Sequence, residues 1–135
     1  MARQAFIAGV LLLALSGCAG GGGVKGFAPL DPARGRVFMY RTSSFGSVYT
    51  PEVLLNGEKV GRPDKPAVIY RDVAPGSYAV TTTKTSRVAN FSIGAGESKY
   101  VRLSSGFFEN QMHPEIVDPA RGEADVSGLP VLQQR

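Results

Sequence analysis

Val53-Leu54-Leu55-Asn56-Gly57-Glu58-Lys59-Val60-Gly61 decides the fold. Asparagine and glycine both tolerate the positive φ of a type I′ turn, and here they stand between two short apolar runs, the strongest short-range signal for a β-hairpin. A second stretch, Asp72-Val73-Ala74-Pro75-Gly76-Ser77-Tyr78-Ala79-Val80, repeats the message. Proline fixes φ at the second position of a turn, glycine supplies positive φ at the third, and a strand follows at once.

Working outward, the same texture holds from residue 36 to the region of residue 103: short apolar or alternating runs between turn residues. No run keeps a 3.6-residue period for three turns. Residues 37–41 are apolar at both parities, which places them on a central strand covered on two faces. Residues 49–55, 58–61 and 67–71 read as the next strands, with Pro63 and Pro66 interrupting pairing between the last two. In residues 77–85, Tyr78, Val80 and Thr82 share one face and Ala79, Thr81 and Thr83 the other. Residues 88–93 and 99–103 follow across Gly94-Ala95-Gly96, and Ile116-Val117 reads as a last strand. The expected core is Val37, Met39, Val53, Leu55, Ile69, Val80, Phe91, Ile93, Val101 and Leu103. These elements predict an all-β fold, a small antiparallel β-sandwich of about seven strands. A short C-terminal helix is expected to be capped by Asp118, to start at Pro119, and to turn Ala120, Ala124 and Val126 toward the sheet.

Ahead of the domain, Arg3 and the apolar run from Phe6 to Leu15 end in Leu15-Ser16-Gly17-Cys18. A charged start, a short apolar core and a small-residue exit form a secretory signal, shorter than the roughly 20 apolar residues of a membrane span. Leu15-Ser16-Gly17-Cys18 resembles the lipobox of bacterial lipoproteins. The resemblance implies a diacylglyceryl group on the Cys18 thiol, cleavage between Gly17 and Cys18, and acylation of the new amine, commonly by palmitate. Removing 17 of 135 residues leaves 118, enough for one domain. Losing Arg3 brings 15 basic residues to 14 against 11 acidic ones, a formal charge of +3. The basic residues are scattered, which argues against nucleic acid as a partner. Cys18 is the single cysteine, so no disulfide supports the fold.

The expected divisions are a signal peptide at 1–17, a lipidated cysteine with a glycine-rich tether at 18–32, the sandwich at 33–126 and a C-terminal tail at 127–135, frayed from Val131. A tether of residues 19–30 has a root-mean-square reach of about 20 Å. Ala19 after the cysteine, by resemblance to lipoprotein sorting in diderm bacteria, implies the periplasmic face of the outer membrane.

Residues 53–61, then Val73-Ala74-Pro75-Gly76-Ser77-Tyr78-Ala79-Val80, Ile93-Gly94-Ala95-Gly96-Glu97 and Tyr100-Val101-Arg102-Leu103 resemble the PEGA-type envelope sandwich, itself Ig-like. They resemble more closely a family of uncharacterised bacterial lipoproteins classed only as a domain of unknown function, in which Tyr40-Arg41 also finds its counterpart. The resemblance spans about residues 34–118. It implies a fold and supplies no catalytic residues.

Candidate chemistry is sparse. His113 is the single histidine and sits between Met112 and Pro114, in what reads as an exposed loop. A Ser-His-Asp triad would have to use it, and Ser43-Ser44, Ser47 and Ser104-Ser105 lack the glycine-flanked elbow of such a nucleophile. Glu109, Glu115 and Asp118 have no fixed separation for paired-carboxylate work. Arg41, Arg71 and Arg102 lie on strands with Tyr40, Tyr70 and Tyr100, a combination that suits a basic-aromatic patch for anionic glycan or lipid headgroups, unless each arginine merely covers a tyrosine with its stem. The expectation is a non-catalytic module, anchored in the membrane by lipid, binding an envelope protein or cell-wall partner through that patch or through Phe107-Phe108. Carriage of a lipid or small ligand, and behind it a small periplasmic hydrolase, are the alternatives. No cofactor or metal is expected.

Overall fold

The computed structural model describes residues 26–44, 50–105 and 111–132. The signal peptide, Gly17, Cys18, most of the tether, Tyr49, Phe107-Phe108 and Glu109 lie outside the described residues. Eight strands and one helix follow in order: β1 Gly35–Arg41, β2 Val53–Leu55, β3 Glu58–Gly61, β4 Ala67–Val73, β5 Gly76–Thr82, β6 Ala89–Ile93, β7 Ser98–Ser104, β8 His113–Val117 and α1 Pro119–Ser127. They form two four-stranded sheets, β4-β1-β7-β8 and β3-β2-β5-β6, packed as a sandwich with the helix at its C-terminal end. One pairing departs from the antiparallel expectation. β1 and β7 run parallel, Arg36 opposite Ser98 through Tyr40 opposite Arg102.

The turn chemistry explains the hairpins. Asn56 has φ 49° and Gly57 φ 80°, as a type I′ turn requires. Asn56 also ties the hairpin to its neighbour: its backbone N–H donates to the Ala79 carbonyl at 2.8 Å and its side-chain oxygen accepts from the Ala79 N–H at 2.7 Å. At Pro75-Gly76 the detail differs from expectation, since Gly76 has a near-extended φ of 159° and is already the first residue of β5. There the Tyr78 hydroxyl donates back to the Ala74 carbonyl at 2.6 Å, holding the chain as it enters the strand.

Between the sheets lies the main core. All ten expected residues are in it, Phe91 half-buried at its margin, and Val60, Ala89 and Met112 complete it. β1 is buried along its whole length because its other face also packs. On that outer side Phe38, Tyr40, Val68, Tyr100 and Val126 form a second core, joined by Phe27, Tyr70, Val117 and Leu129. Phe38 stacks on Tyr100 with ring centroids 4.8 Å apart, and Phe27 stands edge-on to Phe38 at 5.1 Å.

The chain ends depart from expectation. α1 buries Gly122 and Val126, while Ala120 and Ala124 are exposed and Asp118 makes no side-chain cap. The reason is steric: a Cβ at Gly122 would overlap the Cβ and Cγ of Tyr100, so only glycine lets the helix approach that ring. His113 and Pro114 belong to β8, an edge strand, where proline is tolerated. The fraying expected from Val131 is not seen at residues 131 and 132. The Val68 N–H donates to the Pro130 carbonyl at 3.0 Å and the Leu132 N–H to the Val68 carbonyl at 2.9 Å, pinning the tail to the edge of β4 at one residue. Phe27, expected in the tether, is docked on the second core.

Candidate functional site

Successive side chains on a strand point to opposite faces, and this divides the expected basic-aromatic patch. Tyr40, Tyr70, Tyr100 and Arg102 lie on the outer face of the first sheet, and Arg41 and Arg71 on its inner side. Tyr40 and Tyr100 are buried beneath α1. Arg41 is 2% exposed and donates to the carbonyls of Ser43 at 2.6 Å and Pro63 at 2.9 Å. Arg71 donates to the carbonyls of Tyr70 at 3.1 Å and, across to β3, Val60 at 3.2 Å. Burial lowers the pKa of both guanidiniums. Arg102 pairs with Glu115 at 3.0 Å, which raises its pKa. The six residues therefore form no single exposed surface, and most of them hold the sandwich together.

Among the described residues, a cation that does cover an aromatic ring is Arg36, which the sequence reading missed. Its guanidinium lies 4.8 Å from the Tyr70 ring centroid, grips both Asp72 carboxylate oxygens at 2.6 and 2.9 Å, and donates to the Ala28 carbonyl. The bond to Asp72 holds its pKa above the usual arginine value. Two apolar neighbours, Val37 and Val73, hid this pair in the sequence.

The second core carries one polar contact of consequence. The Tyr40 hydroxyl donates to an Asp125 carboxylate oxygen at 2.8 Å, and Arg121 approaches the other oxygen at 3.4 Å. Burial first, then the bond to Asp125, pushes the Tyr40 phenol well above its ordinary value, and burial raises Tyr100 as well. Raised phenol pKa values mean that the folded state keeps protons the unfolded chain releases. Stability is then fully present below the unfolded tyrosine value of about 10 and falls as pH rises from there, by at most about 1.4 kcal/mol per pH unit for each tyrosine. Urea midpoints measured between pH 8 and 11.5 should decline at the alkaline end, and Tyr40→Phe should make that decline shallower. An unchanged slope in the variant would contradict the assignment.

His113 is half-buried on β8, with Nδ1 2.9 Å from the Thr85 hydroxyl. No group of three or more His, Cys, Asp or Glu side chains suited to a metal ion occurs among the described residues. No helix among them is long and apolar enough to cross a membrane.

Two concavities are lined by described residues. One, of about 190 Å³, lies at the C-terminal ends of the parallel pair β1 and β7 and is lined by Arg41, Ser43, Arg102 and Ser104 among others. Both of its arginines donate to protein acceptors and serve the fold. The other, of about 420 Å³, is a shallow trough on the outer face of the second sheet, lined by Asn56, Ser77, Ala79, Asn90 and Ser92 together with Tyr78 and Phe91. Register builds it. Ser77 faces Ser92 and Ala79 faces Asn90 across β5 and β6, while Asn56 reaches Ala79 from the opposite side. The small Ala79 methyl leaves depth between two carboxamides. No ionisable carboxylate, amine or guanidinium lines this surface, and the helix lies on the other sheet. The alternation that turned Ser77 and Ala79 outward was legible in the sequence, but the cross-strand row was not.

No curated protein and no solved structure matches the sequence significantly. The family described as "Protein of unknown function (DUF2846)" matches residues 32–116, well over half of the chain and the whole span from the entry of β1 almost to the end of β8. The chain belongs to that family of uncharacterised proteins.

Proposed function

We propose that this is an envelope lipoprotein, anchored by lipid on Cys18 at the periplasmic face of the outer membrane, whose sandwich is a non-catalytic module contacting a protein or cell-wall partner. The observation that carries the reading is the asymmetry of the two outer faces. The first sheet is clad by α1 and Phe27, whereas the second presents the open, uncharged trough. Phe27, nine residues after Cys18, docks on the clad side. An anchor there turns the bare face away from the membrane. Docking of Phe27 takes that residue out of the tether expected over residues 19–30.

Two measurements test this. Lipid labelling in cells should be abolished by Cys18→Ser, and persistent label would remove the anchor from the proposal. A photo-crosslinker placed at Thr81 on the bare face should yield adducts in the envelope, and one at Ala120 on the exposed side of α1 should not. Adducts from Ala120 alone would reverse the assignment of the faces.

A further inference from the structure

We infer that the trough between Asn56 and Asn90 binds a neutral saccharide chain, an inference that gives the partner of the module proposed above its chemical class. The argument begins with what each side chain has left to offer. The Asn56 oxygen is committed to the Ala79 N–H at 2.7 Å, and this fixes the amide so that its NH₂ group carries the remaining donors. Asn90 is exposed, directly across from Ala79 in the register, with both ends of its carboxamide available to solvent. In the next row the Ser77 and Ser92 hydroxyls lie 3.4 Å apart, each able to donate and to accept. Donors and acceptors are thus interleaved around the Ala79 methyl, without formal charge.

That pattern selects among ligand classes. An anionic ligand finds no cation in the lining. An apolar one would cover two carboxamides and two hydroxyls without replacing their bonds to water, at a cost that opposes binding. A peptide strand adds to a sheet through free edge N–H and C=O groups, but β5 is bonded on one side to β2 and on the other to β6, so its face offers side chains only. A sugar matches this lining: it brings hydroxyls that both donate and accept, and a C–H surface to set against the alanine. The shallow shape suits a chain lying across the sheet rather than a small molecule enclosed on most of its surface.

The test is a titration of the full chain, ¹⁵N-labelled and held in detergent micelles, with a soluble tetramer of N-acetylglucosamine, followed by NMR. Saturable shifts are expected at the side-chain amides of Asn56 and Asn90 and the backbone amides of Ala79 and Ser92, with millimolar affinity. Asn90→Ala, at an exposed position with no part in the fold, should weaken binding about tenfold, the effect of losing one good hydrogen bond. Absence of shifts at these residues, or shifts indifferent to Asn90→Ala, overturns the saccharide assignment. Crosslinking from Thr81 to a protein together with no shift would sink the saccharide while leaving the anchored module standing. Loss of the anchor with binding intact would do the reverse.

Discussion

Asp72→Ala should cost the domain about 3 kcal/mol, at the lower end of the 3–5 kcal/mol lost when one partner of a buried ion pair is removed. Arg36 is 3% exposed and Asp72 31% exposed, so water reaches the carboxylate but not the guanidinium. Deleting the carboxylate leaves a buried cation with the Ala28 carbonyl and the Tyr70 ring as its remaining neighbours. Neither carries a full negative charge. The bidentate grip is also a geometric constraint, because a planar guanidinium matches a carboxylate in one plane only. The loss should lower the melting temperature by roughly 12–20 °C for a domain of about 100 residues. Limited proteolysis should find new cleavage around residue 28, since the same guanidinium holds that carbonyl. A change in stability below about 0.5 kcal/mol, the ordinary range of surface substitutions, would show that the pair is incidental.

Gly122→Ala should destabilise by about 2 kcal/mol, although alanine is favoured over glycine in a helix by about 1 kcal/mol. Its sign rests on the Tyr100 ring. The new methyl would meet the Cβ and Cγ of a side chain seated on β7; the Cβ cannot move without the strand, and the stack on Phe38 holds the ring. α1 must lift instead, weakening the packing of Val126 and the bond between Asp125 and Tyr40. Gly128→Ala is the control, because a Cβ there meets nothing within 4 Å and the residue has φ −99°. Chemical denaturation should separate the two variants by about 2 kcal/mol, combining the overpacking cost with a near-neutral control. Equal stability would mean that α1 does not sit on Tyr100 in solution.

The parts of this fold that were legible in the sequence are those written in local pattern. Asn56-Gly57 specified a turn type through φ alone, and the doubly apolar β1 announced a strand covered on both faces. Alternation found most of the inner core and missed Val60, Ala89 and Met112. What escaped was settled by distant segments. Nothing near β1 says that it will lie parallel to β7, because strand pairing is decided by the whole sheet. The tyrosines beside Arg41, Arg71 and Arg102 looked available for binding, yet α1 and Phe27 come from opposite ends of the domain to cover them. The helix face was misjudged for a related reason: alanine suggested packing, but the ring of Tyr100 required the smallest side chain. In the trough each residue was readable as turn or strand, and only register brought Asn56, Ala79 and Asn90 into a row.

The parallel pairing of β1 with β7 also sets an order of events. Arg36 must find Ser98, and Val68 must then meet residues 130–132, so the first sheet assembles from contacts that are remote along the chain. Topologies dominated by such remote contacts fold in milliseconds to seconds rather than microseconds, because loop closure precedes any gain from pairing. The hairpin of β2 and β3 needs no such wait. Nascent chains of this domain therefore carry an early, local half and a late half whose most apolar strand stays without its parallel neighbour until β7 has emerged, which makes that interval the one in which a holding chaperone would find its binding site.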